Sequence, residues 1–201
     1  VLSMSRKERQ KQVQRQKFLL AAGLAAVLVA ALFFGLFFNR KGKAVHVSSE
    51  VRRYTSLVEK YCKESGIGSY SQVLLAIMQQ ESAGLEADVM QSSESPFNTR
   101  YEQVPGSIDD PEYSIQVGAE TFAYCLQEAD CTSPKDEEGL KLAIQQYNYG
   151  NTYASWALET YGGYSMENAQ EYAFSMMNTL GWNSYGDPEY VSHVLRYYEI
   201  G

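Results

Sequence analysis

The chain has 201 residues, 45% of them hydrophobic, and a formal net charge of −7. Nine of its 17 Lys and Arg but only one of its 24 Asp and Glu fall in residues 1–43, which leaves eight basic against 23 acidic residues beyond, a balance of −15. That balance excludes nucleic acid and anionic lipid as partners of the C-terminal part, since both need clustered cations, and three cysteines, Cys62, Cys125 and Cys131, imply no disulfide scaffold.

In chain order, residues 1–17 read as a basic, Gln-rich cytoplasmic tail. Phe18 to Phe38 then run without a charge; at a rise of ~1.5 Å per residue, about 20 such residues cross a bilayer core, so residues 18–38 are expected to form a transmembrane helix. Arg6, Lys7, Arg9, Lys11, Arg15 and Lys17 precede it and only Arg40, Lys41 and Lys43 follow, which places the N-terminus in the cytoplasm and the rest outside the cell membrane. The run is longer than the apolar core of a usual signal peptide, and no A-x-A-like site follows promptly, so an anchor is expected rather than a cleaved leader. Residues 39–48 read as a linker and residues 49–201 as one extracellular domain, ample for a single core.

Within that domain the apolar spacing predicts helices and no strands. One runs from Ser49 towards Gly66, on Val51, Tyr54, Leu57, Val58, Tyr61 and Cys62. A second carries Leu74, Ile77 and Met78 and ends at Ser82-Ala83-Gly84. Periodicity is then lost from Ala83 to Asp109, a length of loop that is functional or disordered in most compact domains. Asp110-Pro111 starts the next helix, with Ile115, Ala119, Phe122, Leu126 and Ala129 at helical spacing. Ser133-Pro134 is expected to start another, bearing Leu140, Ala143, Ile144 and Tyr147; a short one spans about Tyr153 to Tyr161; Ser165 caps a helix with Ala169, Tyr172, Ala173 and Leu180; and Asp187-Pro188 opens the last, from Tyr190 to Tyr198. Cys62 and Cys125 fall in helical patterns, where a free thiol serves as a small buried hydrophobe.

Glu81 is the oddity in this pattern. It follows Leu74, Ile77 and Met78 by seven, four and three positions, so a helix puts its carboxyl on the apolar face unless the side chain turns off the stripe at the helix end. Facing the core, in a last turn whose free carbonyls repel negative charge, it would hold its proton at higher pH than usual. A carboxylic acid protonated near neutrality is what cleavage of a glycosidic bond needs. Other chemistries lack their residues. His46 and His193 form no zinc-like spacing, so no metal is expected. No G-x-S-x-G, Walker or dinucleotide pattern occurs, and no cofactor is implied. All 16 Tyr and both Trp lie beyond residue 43, a composition that suits sugar binding, although single aromatics at helical spacing are more often plain core.

Four ordered motifs, Glu81-Ser82-Ala83-Gly84, Asp88-Val89-Met90-Gln91-Ser92-Ser93-Glu94-Ser95, Ala143-Ile144-Gln145-Gln146-Tyr147-Asn148-Tyr149-Gly150 and Pro188-Glu189-Tyr190-Val191, resemble those of goose-type lysozymes and soluble lytic transglycosylases. The second is most similar to the lysozyme-like domain of CwlT-type wall hydrolases and of membrane-anchored streptococcal proteins of the pneumococcal vaccine antigen A type. The resemblance implies a mainly α, lysozyme-like fold and cleavage of the β-1,4 bond between N-acetylmuramic acid and N-acetylglucosamine in peptidoglycan. By matching positions it implies Glu81 as catalytic acid and Asp88 as second carboxylate, with Ser82, Gln91, Ser92, Tyr147, Asn148 and Tyr190 binding the glycan. Read from the residues alone, Asp88 also suits a loop turn, Tyr147 the apolar stripe of its helix and Tyr190 ordinary packing. If Asp88 positions water the enzyme is a muramidase, the expected reading; if the sugar's own 6-hydroxyl attacks, it is a lytic transglycosylase giving 1,6-anhydro products. A third possibility keeps the fold without catalysis, as a glycan-binding or septal scaffold whose tail recruits cell-division or wall-synthesis proteins.

Overall fold

The computed structural model describes residues 46–150 and 152–201. The expected cytoplasmic tail, the expected membrane span at 18–38 and most of the linker lie outside the described residues, and no described helix is long and apolar enough to cross a membrane. The domain is helical, with no strand among the described residues. Its α-helices are α1 (Ser49–Arg52), α2 (Thr55–Glu64), α3 (Ser71–Glu81, preceded by a 3-10 turn at Gly68–Tyr70), α4 (Pro111–Glu128), α5 (Glu137–Tyr149), α6 (Tyr153–Tyr161), α7 (Met166–Leu180) and α8 (Tyr190–Val194).

The helix that carries Glu81 lies at the centre of the helical domain. Val73, Leu74, Leu75, Ala76, Ile77 and Met78 are all buried, so α3 is apolar on every side rather than along one stripe, the pattern of a helix enclosed by others. It packs against α1, α2 and α8, while α4 joins α2 to α5, and α5 carries α6 and α8. The C-terminal turn of α3 is tied down as well as enclosed. Ser48, the N-cap of α1, donates its N–H to Gln79 Oε1 at 2.6 Å and its hydroxyl to the Ala83 carbonyl at 3.3 Å. Gly84 has φ +73°, and an added Cβ would meet the Glu50 carbonyl at 2.9 Å, so only glycine lets α1 lie against this turn.

Three boundaries differ from the sequence expectation. The helix from Ser49 breaks at Arg53-Tyr54, where the Thr55 hydroxyl takes the Arg52 carbonyl at 2.8 Å and Arg53 reaches over to the Gly84 carbonyl at 2.9 Å. Ser133-Pro134 does not start α5. Asp136 does, accepting the Gly139 N–H on Oδ1 at 3.2 Å and the Thr132 N–H on Oδ2 at 3.1 Å, while Ser133 closes a turn onto the Asp136 N–H at 3.0 Å. Asp187-Pro188 is likewise a turn, closed by Tyr190 N–H to the Asp187 carbonyl at 3.1 Å, and α8 is only five residues long. At α5 the Asp136 side chain is the better-placed cap, whereas neither α2 nor α8 has a side-chain cap, and Asp187 Oδ1 instead accepts the Glu189 N–H of the turn at 2.9 Å. The Asp110 cap with Pro111 in the first turn, and the Ser165 cap, here a reciprocal box with Asn168, form as expected.

The 82–110 connection contains no helix, yet it is built rather than loose. Asn98, 2% exposed, donates to the Ser93 carbonyl at 2.7 Å and accepts the Tyr101 N–H at 3.0 Å. Beneath the loop Ile108, Tyr113 and Val117 form a small core of their own, flanked by Phe97 and Tyr101. Cys62, Cys125 and Cys131 are free thiols. The first two are fully buried in the main core, as their helical spacing predicts.

Candidate functional site

Glu81 is the last residue of α3, and its carboxylate accepts a short hydrogen bond from the Tyr190 hydroxyl of α8. Although the residue is partly exposed, its carboxyl group lies deep among protein atoms. Burial pushes its pKa up to about 7, the Tyr190 hydrogen bond pulls the other way, and the negative charges of Asp88 and Asp187 add to the rise. The direction is the one the apolar spacing predicts, with desolvation as its main cause. Burial holds the phenols of Tyr190 and Tyr147 far above the ordinary tyrosine range, and the charge of Glu81 adds to both, so both stay neutral donors.

Tyr147, from α5, donates its hydroxyl to the Met90 carbonyl at 2.9 Å and sets its ring edge-on to Phe122 at 6.2 Å. The loop wall formed by Asp88 to Ser93 thereby meets α5 beside Glu81. The Met90 side chain lies so close over α4 that a Cβ on Gly118 would meet its Cγ at 2.7 Å. Gln91 is exposed with φ +46°, an uncommon conformation for a residue with a side chain, and its Nε2 is held by Glu86 at 2.8 Å and the Asp88 carbonyl at 3.0 Å.

Ser82 and Ser92 stand differently. The Ser82 hydroxyl donates to the Val89 carbonyl at 2.8 Å and accepts the Gly84 N–H at 3.0 Å, which clips the loop to the end of α3. Ser92 is 4% exposed and donates its hydroxyl to the Ser114 carbonyl at 3.1 Å. Both hydroxyls are thus spent inside the protein. Asn148 accepts the Asp187 N–H on Oδ1 at 2.7 Å. Gly186 makes that approach feasible: its φ is +51°, and a Cβ there would strike the Tyr149 ring at 2.5 Å and Asn148 Oδ1 at 2.6 Å.

Asp88 is 3% exposed. Its Oδ1 accepts the Ser114 hydroxyl at 2.6 Å and the Ser92 N–H at 3.0 Å, and its Oδ2 accepts the Ser93 hydroxyl at 2.5 Å and the Ser93 N–H at 3.0 Å. Sequence reasoning did not single out Ser93, Ser114 or Gln145 as site residues, and read Asp187 only as a helix start. Gln145, fully buried, donates to the Asp187 carbonyl at 2.9 Å, and His193 Nδ1 lies 2.6 Å from Asp187 Oδ2. One signal was available for Ser114: with Gly118 it forms a small pair four residues apart on the buried face of α4, where another segment comes close. Among the described residues no cluster suited to a metal ion occurs. A cavity of about 470 Å³ between α2 and α4 is lined by none of the predicted site residues.

The sequence model of the lysozyme-like family matches residues 48–201, the whole of the domain just described. The chain belongs to the lysozyme-like family. It is 34% identical over 155 residues to the bifunctional muramidase/DL-endopeptidase CwlT of Bacillus subtilis, a match that covers 77% of this chain and 44% of CwlT. It is 30% identical over 152 residues to a pneumococcal vaccine antigen A homologue of Streptococcus pyogenes, covering 75% of this chain and 71% of that protein. Among solved structures, a lipoprotein-like protein of the NLP/P60 family from Staphylococcus aureus superposes with a TM-score of 0.64 at 33% identity, over 76% of this chain and 54% of that one. The chain thus spans less than half of CwlT.

Proposed function

We propose that the lysozyme-like domain is a muramidase that cleaves the β-1,4 bond between N-acetylmuramic acid and N-acetylglucosamine, held at the cell membrane by residues 18–38 and acting on the wall outside. The observation that carries this reading is Glu81: a carboxylic acid at the end of the central helix, with a pKa of about 7, hydrogen-bonded by Tyr190. In that state Glu81 gives its proton to the glycosidic oxygen as the bond from C1 to that oxygen breaks and positive charge develops on the sugar. Tyr190 is the neutral donor that steadies the carboxylate left behind. Tyr147, Asn148 and Gln91 supply a phenol ring and amides, groups of the kind that suits an N-acetyl sugar.

A second reading, a lytic transglycosylase, is favoured by one observation. Both oxygens of Asp88 are already engaged by donors of the protein, which leaves that carboxylate poorly placed to activate water. Here the muramic acid 6-hydroxyl attacks C1 and Glu81 takes its proton. Mass spectrometry of peptidoglycan digested by the full chain separates the two. Reducing muramic acid ends are expected from a muramidase and 1,6-anhydro ends from a transglycosylase, and Glu81→Gln should release neither. Fragment release by that variant would overturn the assignment of Glu81, and wall binding without release by the folded natural chain would overturn the glycosidase itself.

A further inference from the structure

We propose that the cavity between α2 and α4 is a second binding site of the domain, taking a chain that ends in a primary ammonium, of the kind borne by the stem peptides of peptidoglycan. The ammonium chemistry is read from the cavity itself; only the choice of peptidoglycan as its source rests on the reading above.

At about 470 Å³ the cavity has the size of a small-molecule site, or of a site for one arm of a larger ligand. Tyr61 and Ile67, each 8% exposed, lie beneath it. Phe97 from the 82–110 connection and Tyr124 from α4 line it with rings whose centroids are 6.1 Å apart and whose planes meet at 55°. Two carboxylates join them, Glu64 from the last turn of α2 and Glu120 from α4, and no Lys or Arg lines the cavity. Among the described residues neither carboxylate meets a cation of the protein. Lys60, one helical turn before Glu64, is paired instead with Glu112 at 3.1 Å, and Glu120 accepts from Gln116 Nε2 at 3.1 Å. Lys63 is next to Glu64 in sequence, but consecutive helix residues do not face each other.

This lining selects its ligand by charge and shape. Aromatic rings take up methylene groups, and both their faces and the two carboxylates attract a cation, the more so where water is partly excluded. The domain already holds one ammonium of its own in this way beside the cavity: Lys60 Nζ stands 4.4 Å from the centre of the Tyr61 ring while it pairs with Glu112. A metal ion is less well served. Calcium takes six to eight oxygens, and among the described residues no three His, Cys, Asp or Glu side chains gather around one point.

The position of the cavity says which part of the polymer it meets. Gly118 turns to Met90 and so to the loop wall beside Glu81, whereas Glu120, two positions on, points to the other side of α4. A sugar beside Glu81 therefore does not occupy this cavity, and what it takes from the wall is a peptide arm, held independently of the bond that is cut.

The test is calorimetric titration of the full chain, in mild detergent, with three probes that Glu81 cannot cleave: a synthetic stem tripeptide ending in lysine, the same tripeptide acetylated on its side-chain nitrogen, and cadaverine. The free tripeptide should bind, and acetylation should weaken it by about tenfold or more, the loss expected when an ammonium leaves aromatic and carboxylate partners. The double substitution of Glu64→Gln with Glu120→Gln should weaken it as much, and Tyr124→Leu, which keeps the apolar bulk, should weaken it severalfold; urea unfolding checks that these chains keep their fold. Glu159→Gln removes a charge from the exposed side of α6 and should leave binding as it was. Equal binding of the free and acetylated tripeptides, natural binding in the Glu64 and Glu120 double variant, or no binding at millimolar tripeptide would each overturn the site. Cadaverine binding as tightly as the tripeptide would overturn the stem peptide as its occupant. A chain that binds the tripeptide yet releases no wall fragments would sink the glycosidase reading and leave this site standing.

Discussion

Replacing Glu81 by Gln should make the protein more stable at alkaline pH, and the size of the gain follows from the burial of the acid. Unfolded, Glu81 has the ordinary value of 4.5; folded, it stands at about 7. At ~1.4 kcal/mol per pH unit, the ionised form therefore costs the fold about 3 kcal/mol. Between those two values the folded protein keeps a proton that the unfolded chain has released, so stability falls as pH rises through the window and levels off above it. Glutamine still accepts the Tyr190 hydrogen bond through its amide oxygen but cannot ionise. The variant should match the natural chain at about pH 4 and exceed it by about 3 kcal/mol at about pH 8. Urea unfolding of both full chains in mild detergent, followed by the fluorescence of Trp156 and Trp182, measures this, and the difference between them cancels every other titrating group. A difference that stays flat from acid to alkaline pH would refute the claim that Glu81 is held protonated by burial.

Tyr190→Phe removes the one contact that favours ionised Glu81, so the alkaline limb of the pH profile for fragment release should move to higher pH; movement to lower pH would contradict the assigned role of the hydrogen bond. Gly118→Ala drives a Cβ to 2.7 Å from Met90 Cγ and should cost about 1–3 kcal/mol in urea unfolding, as overpacking does, with reduced activity through the displaced loop. Burial pushes the Cys62 thiol up to about 12 and Cys125 higher, so iodoacetamide should label neither before unfolding, and mass spectrometry of the labelled peptides should find Cys131, the least buried of the three, modified first.

Most of the helical framework could be read from the sequence because its signals are local. Asp110-Pro111 and Ser165 cap the helices they precede, since a cap needs only backbone donors two or three residues away. The same locality misled at Ser133-Pro134 and Asp187-Pro188, where Asp136 and the Asn148 to Asp187 contact impose other geometry. A polar residue on an apolar stripe marked Glu81 as unusual before any fold was known. The unbroken apolar run from Val73 to Met78 is the local sign that α3 is enclosed, but which groups bury and charge the Glu81 carboxyl, and so raise its pKa, is set by the packing around it.

The sequence by itself determined the acidic helical domain, the apolar segment ahead of it, the carboxylic acid closing the Leu74, Ile77 and Met78 stripe, and the motifs shared with lysozyme-like proteins. Only the tertiary structure decided what surrounds each carboxylate. Tyr190 lies 109 positions from Glu81, and Ser114 26 positions from Asp88, so no periodicity links them; packing of α8 on α3, and of the loop on α4, brings them together. Two carboxylates seven residues apart thus meet opposite surroundings. One is desolvated with a single hydroxyl donor, the other is buried with its oxygens filled by serine hydroxyls and backbone N–H groups.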